Sequence, residues 1–241
     1  MNYLLMKKSK NTKETQATKH TCEFCEKEFV REKSMLAHSC ETKRRFEQRD
    51  LKGNVIGYNT WLEFYKKNTA GKKQREYIDF VKSAYYTAFV KFGHYCVDAH
   101  VINVGKFANY LIKNKVSVDR WATDKSYTNF IITHLKEEDP LDAIARSIET
   151  TIELAKLDGI PTKDIFRYGN SNRICYNITK GKISPWMLYH SESGTKFLSE
   201  LDETQIKMIL EYIQPEQWAI RFKRHSDMLK EVKQLLKAGG Y

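Results

Sequence analysis

The sequence predicts an all-α helical body with one small module of a different kind near its N-terminal end. Two observations point to the helices. Apolar residues recur at helical spacing between helix-starting and helix-ending residues, and no stretch alternates apolar and polar residues as a half-buried strand would. A third points to the module. The stretch from Cys22 to Cys40, CEFCEKEFVREKSMLAHSC, combines residue types and spacings that together specify a chemistry. At 241 residues the chain suffices for one large domain, or two smaller ones, beside such a module.

Composition bounds the function. The net charge is +11 and charged residues make up 29%, while 41% apolar content allows a core. Basic residues outnumber acidic ones 19 to 11 across positions 1–82, so most of the surplus sits around the module. Such asymmetry points to a polyanionic partner, most simply nucleic acid, with DNA favoured. Three of the five cysteines lie in the module, and Cys96 and Cys175 are left over. That is a poor disulfide framework and a good intracellular metal pattern. The opening apolar run is too short for a signal peptide, and no stretch reaches the length of a membrane span. The expectation is a protein of the reducing cytoplasm, without a membrane partner. Residues 1–19 are polar, lysine-rich and aperiodic, and read as a disordered basic tail.

In the module, Cys22 and Cys25 form a C-x2-C pair, His38 follows after twelve residues, and Cys40 after one more. Thiolate and imidazole donors at such spacing suit tetrahedral zinc. Residues 20–45 resemble the two-cysteine, two-histidine zinc fingers, whose pattern is C-x2-C-x3-F-x5-L-x2-H. Cys22, Cys25, Phe29 and His38 match it, and Met35 takes the leucine place. The resemblance implies a ββα-type fold with Phe29 and Met35 as its small core, and zinc as cofactor. The family's second histidine is missing from the window Glu41–Lys43. Cys40 is the favoured fourth ligand, because a thiolate binds zinc strongly, and His20 is the rival. Two residues of α-helix rotate about 200°, so His38 and Cys40 can share a metal only if the helix ends or tightens near Ser39. Zinc held there would contribute folding free energy on the order of 10 kcal/mol.

Finger helix positions that face bases fall on Arg31, Ser34 and Ala37, of which only Arg31 discriminates well. A single finger reads about three base pairs, so the module is expected to position the protein rather than read an address. Lys43-Arg44-Arg45 follows directly, then Arg49. With Arg31, Lys33 and the turn containing Lys72 and Lys73, these are the candidate phosphate contacts. Residues 46–73 read as a basic linker, broken at Gly53 and Gly57, with a short helix from Asn59 to Lys67.

From Gln74 a helical stripe runs through Tyr77, Phe80, Val81, Ala84, Tyr85, Ala88, Phe89 and Phe92, and is read as core with Tyr86 off it. His94, Cys96 and His100 lack a fourth ligand at suitable spacing and are assigned core or surface roles. Helices are expected at 104–114, 124–136 and 140–157, the last started by Asp139 and Pro140. Gly159-Ile160-Pro161 ends it and marks a boundary between helical domains at 74–158 and 159–241. Further helices are expected at 171–179, from Asp202 to Ile213, from Pro215, and from a Ser226 cap to Gly239.

No phosphate-binding GxxxxGK[ST], GxGxxG or nucleophile elbow occurs. The acidic runs Glu137-Glu138-Asp139 and Glu200 to Glu203 read as solvated faces or caps. The chain is therefore read as non-enzymatic, with a magnesium-dependent DNA nuclease as the residual enzyme alternative. From Phe89 onward it is similar to the helicase loaders of tailed bacteriophages, through Phe107, Tyr110-Leu111-Ile112, Trp121, Asp124, Tyr127, Gly181-Lys182-Ile183-Ser184, Trp218, Phe222, Asp227 and Lys233. That resemblance implies a small, basic, all-helical protein that binds forked or single-stranded DNA and brings a helicase to it. No site residue is carried over from it. The composition is compatible with a phage or other virus. The expectation is a nucleic-acid-binding accessory protein in DNA replication, recombination, transcription or packaging, with a protein partner in a larger machine. The alternative is a structural or assembly protein whose zinc module docks a partner.

Overall fold

The computed structural model describes residues 19–68 and 74–241. The stretch read as a disordered tail, up to residue 18, and Lys72 and Lys73 lie outside the described residues. The architecture is the expected one: a small N-terminal hairpin beside a Cys/His cluster, then a helix, then an all-α body.

The hairpin pairs β1 (His20–Thr21) antiparallel with β2 (Glu28–Phe29), His20 opposite Phe29. Two short helices follow, α1 (Glu32–Leu36) and α2 (Glu41–Glu47). Then comes α3, which spans Lys52–Asn68. The expected linker break at Gly53 and Gly57 is therefore wrong, because both glycines lie inside α3 and buried. They thin the helix where α5 (Tyr86–Asp98) crosses it. A Cβ on Gly93 would stand 1.9 Å from the Gly53 carbonyl oxygen, and one on Gly57 would stand 2.6 Å from that of Phe89. The helix propensity lost at each glycine, about 1 kcal/mol, is offset by backbone contact that no larger residue permits.

The single helix expected from Gln74 is two. After α4 (Tyr77–Val81) the chain turns at Lys82–Tyr85 before α5 begins. Ser83 anchors the turn, its hydroxyl accepting the Tyr85 amide at 3.1 Å and the Trp61 indole N–H at 3.2 Å. The turn changes the helical phase, so Tyr86 is buried while Ala84 and Tyr85 are exposed, the reverse of the stripe reading.

The remaining order is α6 (Val104–Lys113), a 3-10 turn at Val118–Arg120, α7 (Asp124–Glu137) and α8 (Pro140–Asp158). Asn103, Thr123 and Asp139 cap α6, α7 and α8 through their side chains, and Gly159 ends α8 at φ 67°. Beyond lie α9 (Ile165–Tyr168), α10 (Ser171–Thr179), α11 (Pro185–His190) and α12 (Glu192–Glu200). Then come α13 (Glu203–Ile213), α14 (Pro215–Arg224) and α15 (Leu229–Ala238). The helices α11 and α12 were not expected. Ser184 and Ser191 cap them and Pro185 opens the first, signals that lie in the sequence. Ser226 opens a 3-10 turn ahead of α15 rather than capping the helix itself.

Buried side chains from Trp61 to Leu236 form one continuous cluster that includes all four tryptophans. No helix among the described residues is long and apolar enough to cross a membrane.

Candidate metal centre and its basic extension

The hairpin turn is built around Cys22. Its amide donates to the Lys27 carbonyl at 3.0 Å, its carbonyl accepts the Glu26 amide at 2.8 Å, and Glu26 sits at φ 61° to close the knuckle. Cys25 is held on the same knuckle. On the other side, α1 stops at Leu36, a turn earlier than expected, and His38 to Cys40 run free of helix. The 200° conflict between His38 and Cys40 therefore never arises.

The outcome is a single group: one donor atom each from Cys22, Cys25, His38 and Cys40, all within 4.8 Å of one another. The Cys25 sulfur lies 3.3 Å from His38 Nε2. Tetrahedral zinc, with bonds of about 2.0–2.3 Å, needs donors roughly 3.5–3.8 Å apart, so the cluster is able to hold a metal ion and its donor set is consistent with zinc. His20 takes no part in the group; it is occupied in the hairpin opposite Phe29. The Phe29 ring lies 4.9 Å from the His38 ring and shields one face of it.

The electrostatics favour thiolate at one position. Backbone N–H groups of Cys25, and then of Phe24, aimed at the Cys22 sulfur outweigh desolvation and pull its pKa below the usual thiol value. At Cys25 the Lys27 amide pulls downward, but desolvation and the adjacent Cys40 and Cys22 sulfurs raise the balance. A cation in the centre would relieve that crowding of sulfurs.

Cys40 has a second role. It is the N-cap of α2, and its sulfur accepts the Lys43 amide at 3.4 Å. The candidate metal centre is thereby joined to the helix that carries the basic run. That helix is also fastened to the body. Phe24 packs on Phe46 at 5.3 Å and Phe46 on Tyr77 at 5.9 Å, and Lys82 pairs with Glu26 at 3.3 Å. Nothing in the spacing of Phe24 and Phe46 along the sequence shows that they meet.

The candidate phosphate contacts divide. Arg31, at the N-cap of α1, and Lys33 are exposed, Lys43 is half-buried and Arg44 exposed. Arg45 is committed to structure: Nη1 donates to the Val81 carbonyl at 3.2 Å, the guanidinium lies 4.5 Å from the Tyr86 ring centre, and Glu41 takes the other arm. Arg49 lies over Phe46 at 4.8 Å and beside Asp50 at 3.7 Å.

Elsewhere, His94 Nε2 is 3.0 Å from Asn54 Oδ1, burial pushes the Cys96 thiol up to about 12, and His100 Nδ1 is 2.9 Å from the Asp98 carbonyl. Among the described residues these three form no metal-holding group. The acidic run at 137–139 differs from its reading as a solvated face. Asp139 caps α8, but Glu138 is 3% exposed and grips Arg146 with both oxygens, at 2.6 and 2.8 Å. Arg221 donates to the Glu138 carbonyl. Residues behind the helicase-loader resemblance, among them Phe107, Leu111, Trp121, Tyr127, Ile183 and Trp218, are buried core side chains.

Comparison with family models, with curated proteins and with solved structures finds no match to the chain.

Proposed function

We propose that the protein is a zinc-holding, non-enzymatic accessory protein that docks on nucleic acid, most simply DNA, through its N-terminal module. The observation that carries this reading is the double role of Cys40, candidate metal ligand and cap of the helix bearing Lys43 and Arg44. Zinc fixes the loop, the loop starts α2, and α2 holds its outward cations as a rigid backbone contact. Arg31 and Lys33, on the preceding helix, extend that contact. Sequence-independent docking of this kind suits a component of a replication, recombination, transcription or packaging machine. The test is zinc content of the purified chain together with a DNA titration at several salt concentrations. Zinc at one per chain and affinity that falls steeply with salt support the reading. Replacing Lys43 and Arg44 with Ala should weaken all sequences alike. Absence of DNA binding even at low salt would overturn it.

One observation favours a second reading. Val30 and Leu36, on the module, are 78% and 64% exposed. Exposed apolar residues there suit a module that docks a protein. Under this reading V30S/L36S abolishes capture of a stoichiometric partner that survives nuclease treatment, and leaves any DNA affinity unchanged.

A further inference from the structure

A cleft of about 380 Å³ opens between α6 and α7. Its lining includes a largely buried histidine. His134 is 7% exposed and lies flat on Phe130, ring centres 5.1 Å apart and planes 8° from parallel. Among the described residues neither ring nitrogen makes a hydrogen bond. Glu138 Oε2 is 3.7 Å from Nε2, beyond hydrogen-bond distance. The ring nitrogens reach the solvent of the cleft, where a ligand can meet them. Burial, then the charges of Lys106 and Arg146, hold this imidazole down to about 4, so at neutral pH it offers one donor and one acceptor.

The rim has the opposite character. Lys106, Tyr110 and Lys113 fall on one face of α6, at i, i+4 and i+7, and all line the cleft. The two lysines are about 10 Å apart along the helix. Lys67 reaches over from the end of α3 to Asn109. Against these cations stands Glu137. Tyr110 is partly exposed and packs on Phe130 at 5.7 Å, which fixes its ring as a wall of the cleft. Thr133 and Asn114 add hydroxyl and amide groups. The cleft therefore combines an aromatic wall, uncharged donors and acceptors inside, and cations at the mouth.

We infer that the α6–α7 cleft binds one nucleoside phosphate, its base against Tyr110 and His134 and its phosphate at Lys106 and Lys113. The orientation follows from α7. The carboxylate of Glu137 at the end of that helix repels a phosphate, whereas Lys106 and Lys113 attract one, so the phosphate lies toward the lysines and the uncharged base toward His134. The volume suits one such unit. The same chemistry comes from a free nucleotide or from one unit of a single strand. The site lies on other elements than the metal centre and does not depend on the module's binding DNA.

The test is calorimetric titration of the full zinc-loaded chain with dAMP and dTMP, and separately with a twelve-residue oligothymidylate. The variants are K106A/K113A, with both changes on exposed side chains, and Y110A. Binding by the wild type that falls at least tenfold in both variants, with zinc content unchanged, is the expected result. Loss with mononucleotides identifies a free-nucleotide site, and loss with the oligonucleotide alone identifies a strand site. No binding of either probe, or binding that both variants leave unchanged, overturns the inference. The reading of the N-terminal module is judged apart from it, by duplex affinity and its sensitivity to Lys43 and Arg44.

Discussion

The sulfur of Cys40 accepts the backbone N–H of Lys43, so one of the four clustered donors is also the first hydrogen bond of α2. The two roles can be separated. In C40S the hydroxyl keeps the cap but loses the thiolate, while C40A loses both. With zinc as the metal, both variants should show loss of bound zinc. Only C40A should also destabilise α2 itself, by about 1 kcal/mol. Zinc content and amide exchange at Arg44 and Arg45 distinguish the outcomes.

Chelation should act locally. The hairpin and α1 bury little besides Cys22, and no residue of α1 is buried. If the cluster holds zinc, its removal should therefore open residues 20–40, whereas α3 and α5, which hold the main core, keep their protection. Amide exchange before and after chelation is the measurement. Simultaneous loss of protection in α5 would show that the module and body fold as one unit.

Arg44 and Arg45 are adjacent, yet opposite effects are expected of them. R45A removes the bond to the Val81 carbonyl and the contact with Tyr86, and should cost about 1–3 kcal/mol in denaturant unfolding. R44A should stay within about 0.5 kcal/mol of wild type. If the module contacts DNA, R44A lowers the salt dependence of affinity by about one phosphate contact.

At the α3–α5 crossing, G93A drives a Cβ into the Gly53 carbonyl, 1.9 Å away, and two helix backbones must separate. A loss of about 3 kcal/mol is expected, seen as a clear fall in thermal midpoint. Gly105 is the control. A Cβ there meets only the Asn103 side chain at 3.8 Å, so G105A should be neutral or stabilising by up to about 1 kcal/mol.

His134 gives stability a dependence on acid. Its folded pKa, held down to about 4 by burial, Lys106 and Arg146, lies below the unfolded value near 6.5. As pH falls through 6.5 the unfolded chain takes up a proton that the folded chain refuses until about pH 4. Stability is lost across that window, by roughly 1–2 kcal/mol after allowance for solvent screening. Glu138 opposes this, since burial raises its pKa and the folded chain protonates it first. The His134 contribution is therefore the difference between wild type and H134N in urea midpoints at pH 7 and pH 5. The variant should lose less on acidification.

The sequence by itself determined the kinds of element and three of the four clustered donors. Cys22, Cys25 and His38 are fixed by a spacing that only a compact turn and a short helix can satisfy. The caps at Asn103, Thr123, Asp139 and Asp202 mark helix starts because a short polar side chain satisfies amides of its own first turn. These are local relationships, complete within a few residues. Only the tertiary structure decided the rest. Gly53 and Gly57 look like helix breakers until α5 is placed against them. Tyr86 looks peripheral until the turn at Ser83 rotates it inward. Arg45 looks like its neighbours until Val81 and Tyr86 arrive from the next helices. Cys40 prevails over His20 because α1 ends at Leu36 and leaves His38 and Cys40 free to converge. In each case the deciding partner lies on another element, and a linear sequence carries no record of which distant backbone will stand beside it.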